Sequence, residues 1–157
     1  MQNSFTVAEA QARLEYYCAY QERCHQEVIR KLESMHMIPE AIDHIVVYLI
    51  QHNFLNEERF ARSFARGKHR IKAWGRVRII NELKFRNISS YNIDRALDEI
   101  NPKYDTTFDT VSEQHWAQLR ETDMMKKRKK FCDFLLRKGY ESSMVYEKVK
   151  QLGKVSS

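Results

Sequence analysis

The chain has 157 residues, of which 43% are hydrophobic and 31% are charged, and its formal net charge is +6. The length allows one domain or a short array of small modules, and the composition is that of a chain that folds and stays in solution. With only 4 glycines and 2 prolines, the chain lacks the punctuation that a sheet of many short strands needs, so long helices are expected.

The cysteines and the apolar runs indicate the compartment. Cys18, Cys24 and Cys132 make an odd set without a CxxC pair, unlike a secreted disulfide scaffold. The first residues lack the charged start and apolar run of a signal peptide, and no apolar stretch reaches the roughly 18 residues of a membrane span. We therefore expect a cytoplasmic protein with no membrane partner.

The first predicted helix opens with a capping box. Thr6 and Glu9 stand three residues apart at the start of a helix that we expect to run towards Tyr20. After this helix, one pattern begins that recurs three times along the chain, over residues 28–46, 79–97 and 131–149. The copies align on leucines that are 51 and then 52 residues apart: Leu32, Leu83 and Leu135.

Each copy carries a residue suited to a left-handed backbone four positions after its leucine. These residues are His36, Asn87 and Gly139. Glycine is favoured just past a helix end, and asparagine and histidine are enriched among other residues with positive φ. We predict that each copy is a helix, a left-handed stop and a second helix. The second helices begin near Pro39, Ser90 and Ser142, where proline suits a first turn and serine can cap.

A further helix precedes the second and third copies. The one before the second copy is capped by Asn56, runs to about Ile71 and is broken by Trp74 and Gly75. The one before the third copy is expected over residues 111–120, and Thr122 or Asp123 then caps the next helix. The segment around Pro102 is interpreted as a linker.

These elements predict an all-α fold of three tandem three-helix repeats in a short, curved, elongated array. The expected limits are residues 6–54 for the first repeat, 55–101 for the basic second repeat, 102–110 for the linker and 111–153 for the third repeat. The expected core residues are Leu14, Val28, Leu32, Ile42, Ile45, Leu49, Phe54, Leu55, Phe60, Phe64, Val77, Ile80, Leu83, Ile93 and Leu97.

The Asn56 helix and the turn after it carry many basic residues, and no acid follows Glu58 until Glu82. On a wheel of about 100° per residue, Phe60, Phe64, Gly67 and Ile71 form the expected buried face, with Gly67 letting a neighbouring helix approach. Arginines 59, 62, 66 and 70 form a ridge beside it. The ridge is either a solvated surface or a site for carboxylates or phosphates, which the planar guanidinium suits.

A second basic block over residues 126–130 opens a helix, where positive charge opposes the helix dipole; it serves either an anionic partner or solubility. The candidate partner-binding or DNA-binding residues are therefore Arg59, Arg62, Arg66, Lys68, Arg70, Lys72, Arg76, Arg78, Lys126, Lys127, Arg128, Lys129 and Lys130.

Patterns for catalysis or metal binding are not found in the sequence. The cysteines and histidines have no zinc spacing, and there is no glycine-rich phosphate loop or GxSxG motif. We interpret Glu57 and Glu58 as first-turn acids, and Trp74 as a structural plug, with a partner contact as the alternative. Tyr16, Tyr17 and Tyr20 are expected to pack between modules, with a stacking platform for a partner as the alternative. No enzyme activity, cofactor or metal is expected.

The stretch FLNEERFARSFARGKHRIKAWGRVRIINELKFRNI, residues 54–88, resembles the central signature of the RecX family, regulators of the RecA recombinase. The matching positions are Leu55, Asn56, Glu57, Arg59, Phe60, Ala61, Gly75, Ile79 or Ile80, Glu82 and Leu83. FLLRKGYES and YYCAYQERCHQEVIRKL resemble the third and first modules of that family, so the resemblance covers about residues 8–152. His36 and Asn87 depart from it, because family repeats often carry glycine there.

The resemblance implies a non-catalytic modulator built of tandem three-helix modules. Such proteins bind RecA nucleoprotein filaments, lie in the filament groove and inhibit ATP hydrolysis and strand exchange, and many also touch single- or double-stranded DNA. It implies no individual contact residues, and we expect a monomer or weak dimer. Two other functions stay open from the residues alone: a stand-alone nonspecific DNA-binding module and a purely structural helical adaptor.

Overall fold

The computed structural model describes residues 4–155 and is all-α, as predicted. Within that range it has nine α-helices, one 3-10 turn at Asn101–Lys103 and no β-strand. The helices are α1 (Val7–Tyr20), α2 (His25–Ser34), α3 (Pro39–Gln51), α4 (Glu57–Lys72), α5 (Arg76–Phe85), α6 (Ser90–Asp98), α7 (Tyr104–Gln118), α8 (Met124–Lys138) and α9 (Ser142–Val155). We refer to α1–α3, α4–α6 and α7–α9 as the first, second and third helix groups.

The three left-handed stops are confirmed. The φ angles of His36, Asn87 and Gly139 are 60°, 60° and 100°. In every group the residue after the stop donates its N–H to the carbonyl of the aligned leucine, over 3.2, 3.1 and 3.2 Å in chain order. This bond satisfies a carbonyl that would otherwise be orphaned at the helix end. The recurring sequence pattern therefore encodes the same hydrogen-bonded helix end in each of the three groups.

The predicted caps are mostly in place. The hydroxyl of Thr6 accepts from the Glu9 N–H and the Glu9 carboxylate accepts from the Thr6 N–H, which completes the capping box. Asn56 and Asp123 cap α4 and α8 through side-chain oxygens. The cap of α6 is Ser89, one residue before the expected position, because its hydroxyl accepts the Asn92 N–H.

The segment 102–110, expected to be a linker, is instead the end of the 3-10 turn followed by the first half of α7. The helix starts seven residues before the expected position because Tyr104, Phe108, Ser112 and Trp116 form a buried stripe at four-residue spacing. Pro102 is accommodated at the start of the 3-10 turn, where no helical N–H is needed. The other repeat limits stay a prediction.

The hydrophobic core is divided unequally among the groups. The first group has its own cluster around Leu14, Leu32 and Leu49. The second and third groups share one cluster, and Cys24 from the turn before α2 also packs in it. The expected core residues are buried except for Phe54, Phe64, Ile80 and Leu97, which are partly buried, and Val77, which is exposed. The prediction for Val77 was wrong because its side chain points to solvent from the first turn of α5.

The second and third groups meet backbone to backbone. The N–H of Gly75 donates to the Lys138 carbonyl over 2.8 Å, and the N–H of Val77 donates to the Gly139 carbonyl over 2.9 Å. A Cβ atom on Gly75 would lie 2.4 Å from the carbonyl carbon and oxygen of Gly139. Only glycine permits this approach, so the junction is fixed by backbone geometry.

A polar network supports the same junction. The hydroxyl of Tyr104 donates to Glu141 and accepts from the N–H of Arg76. The Arg76 guanidinium stacks 3.7 Å from the centre of the Tyr104 ring and donates to Glu141 over 2.8 Å and to Asn101 over 3.1 Å. Burial alone would raise the pKa of Glu141, but the bonds from Tyr104 and Arg76 outweigh it and lower the pKa.

Arg59 joins the first group to the second. Its guanidinium donates to the Glu22 carboxylate over 2.6 Å, to the side chain and carbonyl of Asn53 and to the carbonyl of Phe54. Four acceptors on two segments of the first group thus converge on one side chain of α4. A planar fork with several fixed donors makes such a joint possible.

Two alanine substitutions test the glycine junction. Gly75→Ala should lower the free energy of unfolding by about 2–3 kcal/mol, because the added methyl meets backbone atoms that cannot give way. Gly67→Ala, in the interior of α4 with no atom within 4 Å of the added Cβ, should raise it by about 0.5–1 kcal/mol. Urea denaturation at neutral pH measures both. Equal effects of the two substitutions would contradict the junction described here.

Glu141→Gln tests the polar network through pH. The folded-state pKa of Glu141 is below its ordinary value of 4.5, so its contribution to stability is complete above that value and is lost as pH falls through the folded pKa. The variant should be about 1–2 kcal/mol less stable than the wild type at pH 7, and this difference should vanish towards pH 3. Urea denaturation across that range is the measurement.

The matched control for Glu141→Gln is Glu147→Gln, an exposed position on α9, the helix that follows Glu141. It should change stability by less than about 0.5 kcal/mol at every pH. A stability difference between wild type and Glu141→Gln that is the same at pH 7 and pH 3 would refute the network's electrostatic role.

Candidate partner-binding surface

The buried face of α4 differs from the expected one. The buried residues are Phe60, Ala61, Ala65 and His69, whereas Ile71 is 76% exposed. Gly67 has no neighbour within 4 Å of a built Cβ, so the prediction that it admits a neighbouring helix was wrong. Two of the four buried residues are small alanines, and α4 packs against α6.

The arginine ridge on α4 is paired within the protein. Arg62 lies 3.4 Å from the Glu58 carboxylate and 3.2 Å from that of Glu99, and Arg66 lies 3.3 Å from Glu99. The hydrogen bond to Glu99 raises the pKa of Arg62. Together with Arg59, these residues contradict the prediction of an unbalanced charge. Apart from Glu58, the compensating carboxylates, Glu22 and Glu99, belong to other segments of the chain, so a local count of charges could not find them.

A different set of cations remains unpaired around Trp74. Lys68 and Arg78 lie over the Trp74 ring, with 5.0 and 4.0 Å between the charged group and the ring centre. Lys138, from α8, donates to the carbonyl of Lys72 over 2.9 Å. In the described part of the chain no carboxylate lies within 4 Å of any of these four cations. We call Lys68, Lys72, Arg78 and Lys138 the Trp74 cluster.

Trp74 itself is a structural plug, as predicted. Its ring is buried and meets Phe64 edge to face at 6.2 Å, and its carbonyl lies 2.8 Å from Nδ1 of the buried His69. Cation–π contacts hold the charges above it without neutralising them. The cluster therefore presents a net positive surface on a rigid aromatic base.

The candidate residues fall into two classes in the structure. Arg59 and Arg76 join helix groups, and Arg62 and Arg66 pair with Glu99. Lys68 and Arg78 lie over Trp74, Lys72 lies beside Lys68 at the exposed end of α4, and Arg70 is exposed on α4 with no carboxylate within 4 Å in the described residues. Lys138 completes the cluster and was missed, since it lies 66 residues from Lys72. The signal that could have found it is its place in the last turn of α8.

The second basic block is mostly committed to its own group. Lys129 pairs with Asp133 over 2.8 Å and Lys130 with Glu121 over 2.9 Å, and the bond from Lys130 lowers the pKa of Glu121. Lys127 lies over the Trp116 ring at 4.2 Å, and Arg128 lies against α9. Lys126 and Arg128 have no carboxylate within 4 Å among the described residues. This block starts α8 and Lys138 ends it, about 18 Å away along the helix, so the structure does not join the two basic surfaces.

The tyrosines of α1 do not pack between modules. Tyr16 and Tyr20 are exposed and stack on each other with 6.5 Å between ring centres. Tyr17 is partly buried under the Arg23 guanidinium at 3.7 Å. The prediction of inter-module packing was wrong for these residues, because Cys24 and Arg59 make the contact instead.

Residues 4–155 lack the features of a metal site and of a membrane span. They contain no group of three or more histidine, cysteine, aspartate or glutamate side chains placed to hold a metal ion. None of the helices in this range combines the length and apolar character that a membrane crossing requires.

Comparison with known families and structures places the fold. Residues 56–97 match the sequence model of the RecX second three-helix domain. The structure superposes on a crystal structure of regulatory protein RecX with a TM-score of 0.77 and 23% identity, covering 92% of this chain and 73% of that one. It superposes on RecX from Lactobacillus salivarius with a TM-score of 0.75 and 21% identity, covering 95% and 97%.

Relatives named regulatory protein RecX match most of the chain. The one from Clostridium acetobutylicum is 24% identical over 83% of this chain and 62% of its own length. The one from Limosilactobacillus reuteri is 25% identical over 91% and 54%, and the one from Chlorobium phaeobacteroides is 28% identical over 83% and 85%. The chain thus spans a little over half the length of the first two relatives. The repeat pattern, the matched second domain and the helical architecture thus all show similarity to the RecX family.

Proposed function

We propose that the chain binds RecA filaments assembled on DNA and inhibits their ATP hydrolysis and strand exchange. By this means it modulates DNA repair and recombination, including the SOS response, in the cytoplasm. The relatives' name supports a regulatory role. The function is binding, without catalysis by the chain itself.

The observation that carries the proposal is the Trp74 cluster. Its four cations have no carboxylate partner among the described residues, although acids elsewhere neutralise most of the arginine ridge. An unpaired cationic group is ready to meet the carboxylates of a protein filament. The proposed contact residues are Lys68, Lys72, Arg78 and Lys138, with Arg70 beside them.

The position of the Trp74 cluster, at the joint between two helix groups, also supports its role as a binding surface. Its residues come from both sides of the Gly75–Gly139 junction, where the backbone is held by direct hydrogen bonds. A surface that is already ordered loses little conformational entropy on binding. The second and third helix groups therefore present these charges as one unit.

The same cluster supports a second candidate function, nonspecific DNA binding by the chain alone. Phosphate oxygens can satisfy these cations as carboxylates can, and neutralised phosphates would make the affinity fall steeply with salt. A salt series with bare single- and double-stranded DNA separates the two functions. Tight, salt-dependent binding to bare DNA that is unchanged by RecA would favour the second function and count against filament recognition.

The double charge reversal Lys72→Glu/Lys138→Glu tests the proposed function. It should weaken binding to preassembled RecA filaments at least about tenfold, which corresponds to about 1.4 kcal/mol. The concentration needed to inhibit ATP hydrolysis should rise by the same factor. Fluorescence anisotropy of labelled filaments and a coupled ATPase assay provide the measurements.

The control is Lys103→Glu/Lys150→Glu, which changes the net charge equally at exposed positions outside the cluster. This variant should bind within about twofold of the wild type. Equal losses in the two double variants would mean that net charge alone acts, and a wild-type chain with no effect on filaments would refute the proposed function.

A further inference from the structure

A cleft of about 410 Å³ opens between the first and second helix groups. One wall is α2 with the turn before it, and the other is α4 with the end of α5. The volume is in the range of sites that take a small ligand or a few side chains. Lys68 of the Trp74 cluster lines the cleft, whereas Lys72, Arg78 and Lys138 do not. The cleft and the cluster are therefore neighbouring surfaces.

The cleft has mixed walls, in which a few apolar side chains lie among polar and charged ones. Cys24 and Phe60 are buried and line it, and Phe64 is partly buried beside them. Phe85, which also lines the cleft, is 72% exposed. An exposed aromatic ring on the edge of a cleft is the type of group that anchors a partner's side chain.

The acidic side chains in the cleft walls have cationic partners or hydrogen bonds, whereas two of the basic side chains have no acidic partner in the described part of the chain. The carboxylate of Glu22 is held by Arg59, and that of Glu27 accepts the Cys24 N–H and lies 3.8 Å from Arg23. Arg30 and Lys68, in contrast, have no carboxylate within 4 Å among residues 4–155. An occupant with a negative charge would therefore find two unsatisfied cations.

We propose that this cleft receives a short segment of the recombinase that carries an acidic side chain next to an aromatic or branched apolar one. This inference rests on the proposed function and names the part of the partner that the cleft accepts. The apolar side chain packs on Phe64 and Phe85, and the carboxylate lies between Arg30 and Lys68. The segment thereby contacts the first and second helix groups together.

A protein segment fits the cleft better than a nucleic acid strand does. A phosphodiester chain carries one charge per nucleotide, whereas the cleft offers only two cations without a carboxylate partner among the described residues, Arg30 and Lys68. A single carboxylate on a peptide matches that number more closely. The rings of Phe64 and Phe85 also offer packing to an apolar side chain, which a phosphate lacks.

Two substitutions in the cleft and two matched controls test this proposal. Arg30→Glu and Phe85→Ser should each weaken filament binding at least about tenfold, measured by fluorescence anisotropy. The loss caused by Arg30→Glu should shrink in 0.5 M salt, because exposed charges are screened, whereas the loss caused by Phe85→Ser should not. The controls Lys84→Glu and Tyr91→Ser change exposed residues outside the cleft and should bind within about twofold of the wild type.

The outcomes separate this proposal from the proposed function. If the wild type binds filaments and both cleft variants bind within twofold of it, the cleft assignment is wrong and the proposed function stands. If the wild type does not bind filaments, both fall. Photo-cross-linking with p-benzoylphenylalanine in place of Phe85 gives an independent check. A cross-link to an acidic recombinase peptide supports the cleft assignment, and a cross-link to DNA, or none, overturns it.

Discussion

The close approach of Gly75 and Gly139 determines where the unpaired charge of this protein lies. Two backbone hydrogen bonds, both donated from residues 75–77 to carbonyls at the end of α8, bring the end of α4, the start of α5 and the end of α8 to one place. Two helix C-termini thus converge, and their dipoles favour cations in the last turn. Lys72 at the end of α4 and Lys138 at the end of α8 meet there for that reason. The Trp74 cluster is therefore a consequence of how the second and third helix groups dock.

The parts of the fold that the sequence predicts are those encoded locally. The three stop residues differ in type: they are His36, Asn87 and Gly139. Each follows an aligned leucine and can adopt a left-handed backbone, so the helix stop can be predicted from the sequence in all three copies. The helix caps at Thr6, Asn56 and Asp123 can also be predicted from the sequence. In each case the residue and the group it satisfies lie within a few positions of each other.

The parts that the sequence does not predict depend on distant partners. The acids that neutralise Arg59 and Arg66 are 37 and 33 residues away, in Glu22 and Glu99. The face that α4 buries was misjudged because two of its buried residues are alanines, which carry a weak hydrophobic signal. The early start of α7 was missed because the stripe that includes Tyr104 contains a buried serine. Each error concerns packing against another element.

A guanidinium pairs with carboxylates whether they belong to a partner or to the same chain. The many arginines on α4 therefore suggested an external partner, although the chain itself supplies most of the carboxylates. A guanidinium suits carboxylates because it offers several donors in one plane, and the chain uses that property internally. Arg59 binds four acceptors between the first and second helix groups. Arg76 binds Asn101 and Glu141 between the second and third groups. The charges left for recognition are mainly lysines, whose flexible stems are poorly suited to such joints. In a chain of small modules, a run of arginines thus first indicates joints between modules, and the unpaired lysines beside them indicate the surface that meets a partner.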